Sequence, residues 1–137
     1  MAALVLDNPS ITVGGTDLSP FATSVTITHN VMTTQVTTFG STGPVSHSST
    51  KSAGNTAVVN LVQDFAASAS NATVFAALGQ KVAVMISPET GDASATNPHY
   101  TAMAEVHDYQ PINGEAGVLV QIDVTLVVDG QWDVAVT

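Results

Sequence analysis

The 137-residue chain has no cysteine and no arginine, and its fixed cations are Lys51 and Lys81 alone. Without cysteine there are no disulfides, thiolate metal ligands or cysteine nucleophiles. Two isolated lysines cannot neutralise a phosphate backbone, which excludes nucleic-acid binding through clustered cations. Eleven carboxylates bring the net charge to −9, so the surface repels DNA at short range. No apolar run approaches the roughly 20 residues of a membrane span. The opening "MAALVLDNPS" lacks the basic and apolar segments of an export signal, and synthesis in the cytoplasm is the expectation. Aromatic side chains are scarce as well: Tyr100, Tyr109 and Trp132 are the only Tyr and Trp residues, few for a sugar-stacking platform.

What remains is 45% apolar and only 9% charged, rich in Thr, Ser, Ala and Val. That composition argues for an ordered β protein and against disorder. The length suits a single domain, residues 1–137, able to bury a core without staples.

Residues 11–13 read as a short strand closed by the turn "GGTD". In "SVTITHNVMTTQVTTFG", Ser24 to Gly40, Val25, Ile27, His29 and Val31 alternate with polar residues, as in a half-buried strand. The β-branched residues then continue past Met32 while the apolar face thins out, so the strand outruns its own core. "GSTGPVSHSSTKSAGNT", Gly40–Thr56, is expected to be a long flexible loop. "AVVNLVQDF", Ala57–Phe65, is the returning strand of a very large hairpin.

"SASNATVFAALGQK" is the one clear helix, with Ser70 or Asn71 as cap, Val74, Phe75 and Leu78 as its apolar stripe and Gly79 at its C-terminus. "KVAVMISP" reads as a buried strand ended by Pro88, and "ETGDASATNP" as an exposed loop. His99–Gln110 is a strand, Asn113-Gly114 a hairpin turn, and Val118–Asp129 a second long strand with Val118, Val120, Ile122, Val124, Leu126 and Val128 on one face. Six or so strands with one mid-chain helix make a β-sandwich or small barrel with long hairpins and a helix on its flank.

No catalytic constellation emerges. His99 and His107 lie roughly 26 Å apart along one strand, too far to share an ion. His29 falls on the apolar face and His47 in the expected loop. Asp7, Asp17, Asp92 and Asp129 sit at turns or strand ends, where Asp satisfies backbone donors. Asp64 and Glu105 could be a buried acid and base, yet nothing pairs them in sequence. Hydrolase, phosphate-loop and dinucleotide signatures are absent. The "NAT" at Asn71 is explained by a helix start. No enzyme activity, metal site or cofactor is expected. The polar faces of the strands remain, and they are nearly free of the lysines that usually protect sheet edges from pairing.

The order of "ITVGGTDLSPFATSVTI", "VQDFAASASNATVFAALGQKVAVMISP" and "SATNPHYTAMAEVHDYQPINGEAGVLVQIDVTLVVDGQWDVAV" resembles the major tail tube proteins of long-tailed bacteriophages, in the compact form found in phages of actinobacteria. The likeness spans Ile11–Val136 and is weakest over Gly40–Thr56. It implies a β-sandwich with a flanking helix that assembles into hexameric rings, stacked into a hollow tube through which DNA leaves the capsid. Partners would be further copies of the chain and the tape-measure, terminator and distal tail proteins. DNA would pass the lumen without specific binding, no membrane anchor is implied, and the protein would reside in the virion. Face alternation then puts Asp123, Gln121, Thr125, Glu105 and Asn60 toward the lumen, where acids and hydroxyls offer DNA no cation to stop on. Met32, Val36, Phe39, Val45 and Lys51, on the overlong hairpin, would meet neighbouring subunits and rings, with the 40–56 stretch as an inter-ring arm. Bulges could flip the alternation partway along such strands. A tail terminator or capsid decoration protein and, from another class, a monomeric carbohydrate-binding or adhesion β-sandwich are the alternatives.

Overall fold

The computed structural model describes residues 4–66 and 69–136. β1 (Ser10–Val13) and β2 (Thr16–Asp17) are joined by Gly14 and Gly15 at φ +59° and +87°, the pair of left-handed residues that a two-residue hairpin turn requires. The Asp17 carboxylate accepts the Ser19 N–H at 3.0 Å and so sets the 3-10 turn Ser19–Phe21 that feeds β3 (Ala22–Thr28).

The long run from Ser24 is two strands, not one. β3 ends at Thr28, and β4 (Val31–Val36) begins after His29 and Asn30. Only Val25 and Ile27 of the expected apolar face are half-buried; His29 and Val31 are exposed, and the His29 ring meets Tyr100 edge-on at 5.8 Å. The stretch 40–56 is likewise not a loop. It contains β5 (Val45–Ser52), antiparallel to β4, with Val36 opposite Val45 and Thr34 opposite His47. Its glycines, proline and many hydroxyls suggest a loop, but ladder bonds are made by the backbone, and a neighbouring strand already in place supplies the partner. An irregularity between Val31 and Thr33 shifts the register at the base of this ribbon, the kind of bulge anticipated for long strands.

β6 (Thr56–Val62) returns beside β3, with a bulge between Ala22 and Ser24. Buried Asn55 pins the junction of ribbon and body. Its Oδ1 accepts the Asn30 N–H at 2.7 Å, its carbonyl accepts the Val128 N–H at 2.9 Å, and its amide reaches the Gly130 carbonyl at 3.4 Å. Asn55→Ala strands the Asn30 N–H, and we expect it to lower unfolding free energy by about 1–3 kcal/mol, read as a shift in urea midpoint.

α1 (Ser70–Ala77) covers one flank. Its buried line is Ser70, Val74 and Ala77, the i, i+4, i+7 positions; Phe75 and Leu78, expected in that stripe, are turned one position off it and are exposed. Neither Ser70 nor Asn71 caps the helix, whose N-cap is Ala69. Instead the Ser70 hydroxyl accepts the Asp64 N–H at 2.9 Å and donates to the Val62 carbonyl at 3.0 Å, while Asn71 Oδ1 accepts from the Tyr109 hydroxyl at 2.8 Å. Ser68, at the head of the expected helical segment, lies outside the described residues. Gly79 follows with φ +75°, as its place after the helix suggested.

β7 (Lys81–Ser87), β8 (His99–Val106), β9 (Gln121–Val128) and β10 (Asp133–Ala135) complete the chain. β8 stops four residues short of the expected Gln110, and the turn after it is not at Asn113-Gly114. It lies at Glu115–Val118, where the Val118 N–H bonds the Glu115 carbonyl and Gly117 takes φ +79°. Gly114 serves close packing: a Cβ there would stand 3.0 Å from a Val120 methyl. Val118, expected on the aliphatic face of that strand, consequently lies exposed ahead of β9, and Leu119 beside it is exposed too.

The main sheet runs β2-β1-β7-β8-β9-β6-β3, with β10 continuing along β8 beyond β9. Residues of β1 (Ile11, Val13), β7 (Val84, Ile86), β9 (Ile122, Val124, Leu126) and β6 (Val59, Leu61) belong to one buried cluster. The sheet therefore curls on its apolar face into the expected sandwich-like mainly-β architecture, and among the described residues no strand pairing closes it. β2 and β10 were not foreseen, because two or three residues carry no readable period.

Candidate functional site: the polar sheet face and the exposed ribbon

All five residues expected on one polar face do share the face opposite the core. On β9, Gln121, Asp123 and Thr125 alternate with buried Ile122, Val124 and Leu126. Across the strand pair they stand opposite Val62, Asn60 and Val58. The Asn60 amide donates to Asp123 Oδ1 at 2.8 Å, and the Thr23 hydroxyl donates to Asn60 Oδ1, which ties β3, β6 and β9 together across this face. Thr26 and Ser24 of β3 extend it.

Glu105 is on the same face but one strand further on, opposite Val127 of β9 and Lys81 of β7. Its carboxylate lies 2.7 Å from His107 Nε2. Lys81 pairs with Asp129 at 3.2 Å, so the one lysine of this face already has an acidic partner. Beyond it the face changes character. Ala83, Met85 and Met103 line a shallow apolar hollow with Thr12 and Asp133. The alternation Lys81, Ala83, Met85 in "KVAVMIS" carried the signal for this apolar half, and sequence reasoning passed over it in favour of the polar residues.

The candidate contact residues are gathered on the ribbon. Every residue from Val31 to Val36 is exposed, as is every residue of β5 up to Lys51. Met32 sits at the register shift, Val36 faces Val45, Lys51 stands near the base, and Phe39 in the connecting turn is fully exposed. The β4–β5 pair is a separate two-stranded sheet. An isolated hairpin is marginal in water, so this one depends on its junction for order.

Asp64 and Glu105 do not meet: Asp64 accepts the Ala66 N–H, while Glu105 binds His107. Of the other histidines, His47 is on β5 and His99 Nε2 lies 3.1 Å from the Gly91 carbonyl. Among the described residues no group of three or more His, Asp or Glu is placed to hold a metal ion, and no helix is long and apolar enough to cross a membrane. Trp132 is buried in the core, and the Tyr109 hydroxyl is engaged by Asn71 and Gln63. These rings do not form a stacking platform. No family model and no curated protein matches the chain.

Proposed function

We propose that the protein is a structural subunit of a phage tail tube, forming hexameric rings that stack into a hollow conduit for DNA. The observation that carries this reading is the ribbon: a strand pair continuing β3 and β6 outward, with Val31, Met32, Val36, Phe39 and Val45 bare to water. Monomeric proteins rarely expose apolar side chains on open strand edges, because such edges pair. A ring of copies gives those edges partners, and closure of a barrel abolishes them.

The polar face supports the same reading. Asp123, Asn60, Gln121 and Thr125, with Glu105 at its border, would line the lumen; their carboxylates and neutral dipoles repel or slip past phosphates. The tape-measure, terminator and distal tail proteins would be its partners, after synthesis in the host cytoplasm and incorporation into the virion. Purified chain, concentrated and viewed by negative-stain electron microscopy, is expected to form hollow tubes. Isolated rings would favour a terminator, and monomers at every concentration would overturn the proposal.

A further inference from the structure

We infer that β5 of one copy adds, antiparallel, to the free edge of β3 in a second copy, with Val45 opposite Ile27 and His47 opposite Val25. This docking rests on self-association as proposed above and specifies where the ribbon goes.

Among the described residues the curled sheet ends in β3 on one side and in β1–β2 on the other, without closing. Between the two ends runs a furrow with unlike halves. Beside Val25 and Ile27 it is an apolar slot of ≈ 140 Å³, walled by Leu4, Leu6, Ile86 and Tyr100. Beside Ala22–Ser24 it widens to ≈ 350 Å³ and carries Asp7 and Asp17. Leu6, Pro9 and Val25 line both, so the two halves are continuous. Among the described residues β3 pairs with β6 alone, which leaves a row of backbone donors and acceptors facing this furrow.

β5 has the complementary form. Among the described residues it too pairs on one edge alone, and its eight residues match the seven of β3 in length. One end is apolar, with Val45 beside Val36 and Phe39 close by; the other bears Lys51. Residues 31–55 hold Lys51 and His47 and not one of the eleven carboxylates, all of which belong to the rest of the chain. An electrically segregated chain of this kind favours ribbon against body over body against body. Antiparallel addition puts Val45 over the Ile27 slot and Lys51 toward Asp17 and Asp7. Parallel addition would reverse both matches. The ribbon cannot reach the furrow of its own chain by this route, since β4 leaves the end of β3 directly through His29 and Asn30.

The register sets Ser48 opposite Ser24, both exposed, at the strand-pair spacing a disulfide can bridge. The chain has no cysteine of its own, so Ser24→Cys with Ser48→Cys gives a clean test. Oxidised at assembly concentration, the double variant is expected to run as a reductant-sensitive ladder of linked chains, and either single variant as no more than a dimer. Linked chains in the absence of rings or tubes would uphold this docking while removing the tube. Rings or tubes with the chains unlinked, or linked only within one chain, would overturn the docking and leave the tube standing. If neither assemblies nor links form, both fail. Lys51→Glu is expected to abolish the ladder and Asp7→Lys, added to it, to restore it; a ladder indifferent to both would overturn the assigned polarity.

Discussion

Leu61→Ala is expected to lower the free energy of unfolding by about 2–5 kcal/mol. Leu61 is fully buried in β6, which lies between β3 and β9. It stands opposite Ala22 of β3 on one side and Ile122 of β9 on the other, so its isobutyl group fills core space between these strands. Removing it forfeits the transfer of the lost methyl groups from water and leaves a cavity between strands that a paired backbone cannot close. A total stability on the order of 5–15 kcal/mol puts the variant near its folding threshold. Val58, on the same strand with its side chain on the opposite face, is the control: it is 37% exposed, and Val58→Ala should stay within about 0.5 kcal/mol. Urea denaturation of both variants reads the contrast, with the slope unchanged if only native packing was lost. Equal losses at the two positions would mean that the buried and outer faces of β6 have been assigned wrongly.

That face assignment is where the sequence was most legible. Alternation along "QIDVTLVV" separated Ile122, Val124 and Leu126 from Gln121, Asp123 and Thr125, and the fold keeps that division because a strand with one buried face cannot slip by a residue without inverting every side chain. The Gly14–Gly15 turn was legible for a similar local reason: two left-handed residues in succession have few other uses. Three features were hidden, each because its cause is not local. Gly114 was read as a turn residue, whereas its missing side chain makes room for Val120 six positions on. Phe75 and Leu78 were read as the buried stripe, but a two-turn helix shows the core only a narrow line, and which line is decided by the sheet beneath it. The ribbon was half seen. Val31–Val36 looked like strand and Val45–Ser52 like loop, since the partner that makes a strand of the second is the first. Of the candidate surfaces, the contact between Asn60 and Asp123 follows from register between strands distant in the chain, which composition and period do not encode.

Val36→Ser, Phe39→Ser and Val45→Ser, combined, are expected to abolish polymerisation while leaving the subunit folded. All three side chains are exposed, and none belongs to the buried cluster. Surface substitutions of this kind fall within about 0.5 kcal/mol each, so the thermal midpoint of the body should hardly move. In an assembled tube the same groups would leave water, and burying a valine or phenylalanine contributes about 1.5–3 kcal/mol each. Losing even about 3 kcal/mol from a repeated contact would raise the concentration needed for growth of the proposed tube by more than about 100-fold. Sedimentation or light scattering across that range measures the shift, and the melting curve reports whether the body survived. The ribbon is joined to the body through Asn30, Asn55 and the Gln131–Thr50 contact, none of which the variant touches. A soluble, normally melting and unpolymerised triple variant therefore assigns the effect to the ribbon's apolar surface. Tubes growing at the usual concentration would show that the exposed apolar groups contribute nothing to assembly, and the strongest support for the tube reading would be gone.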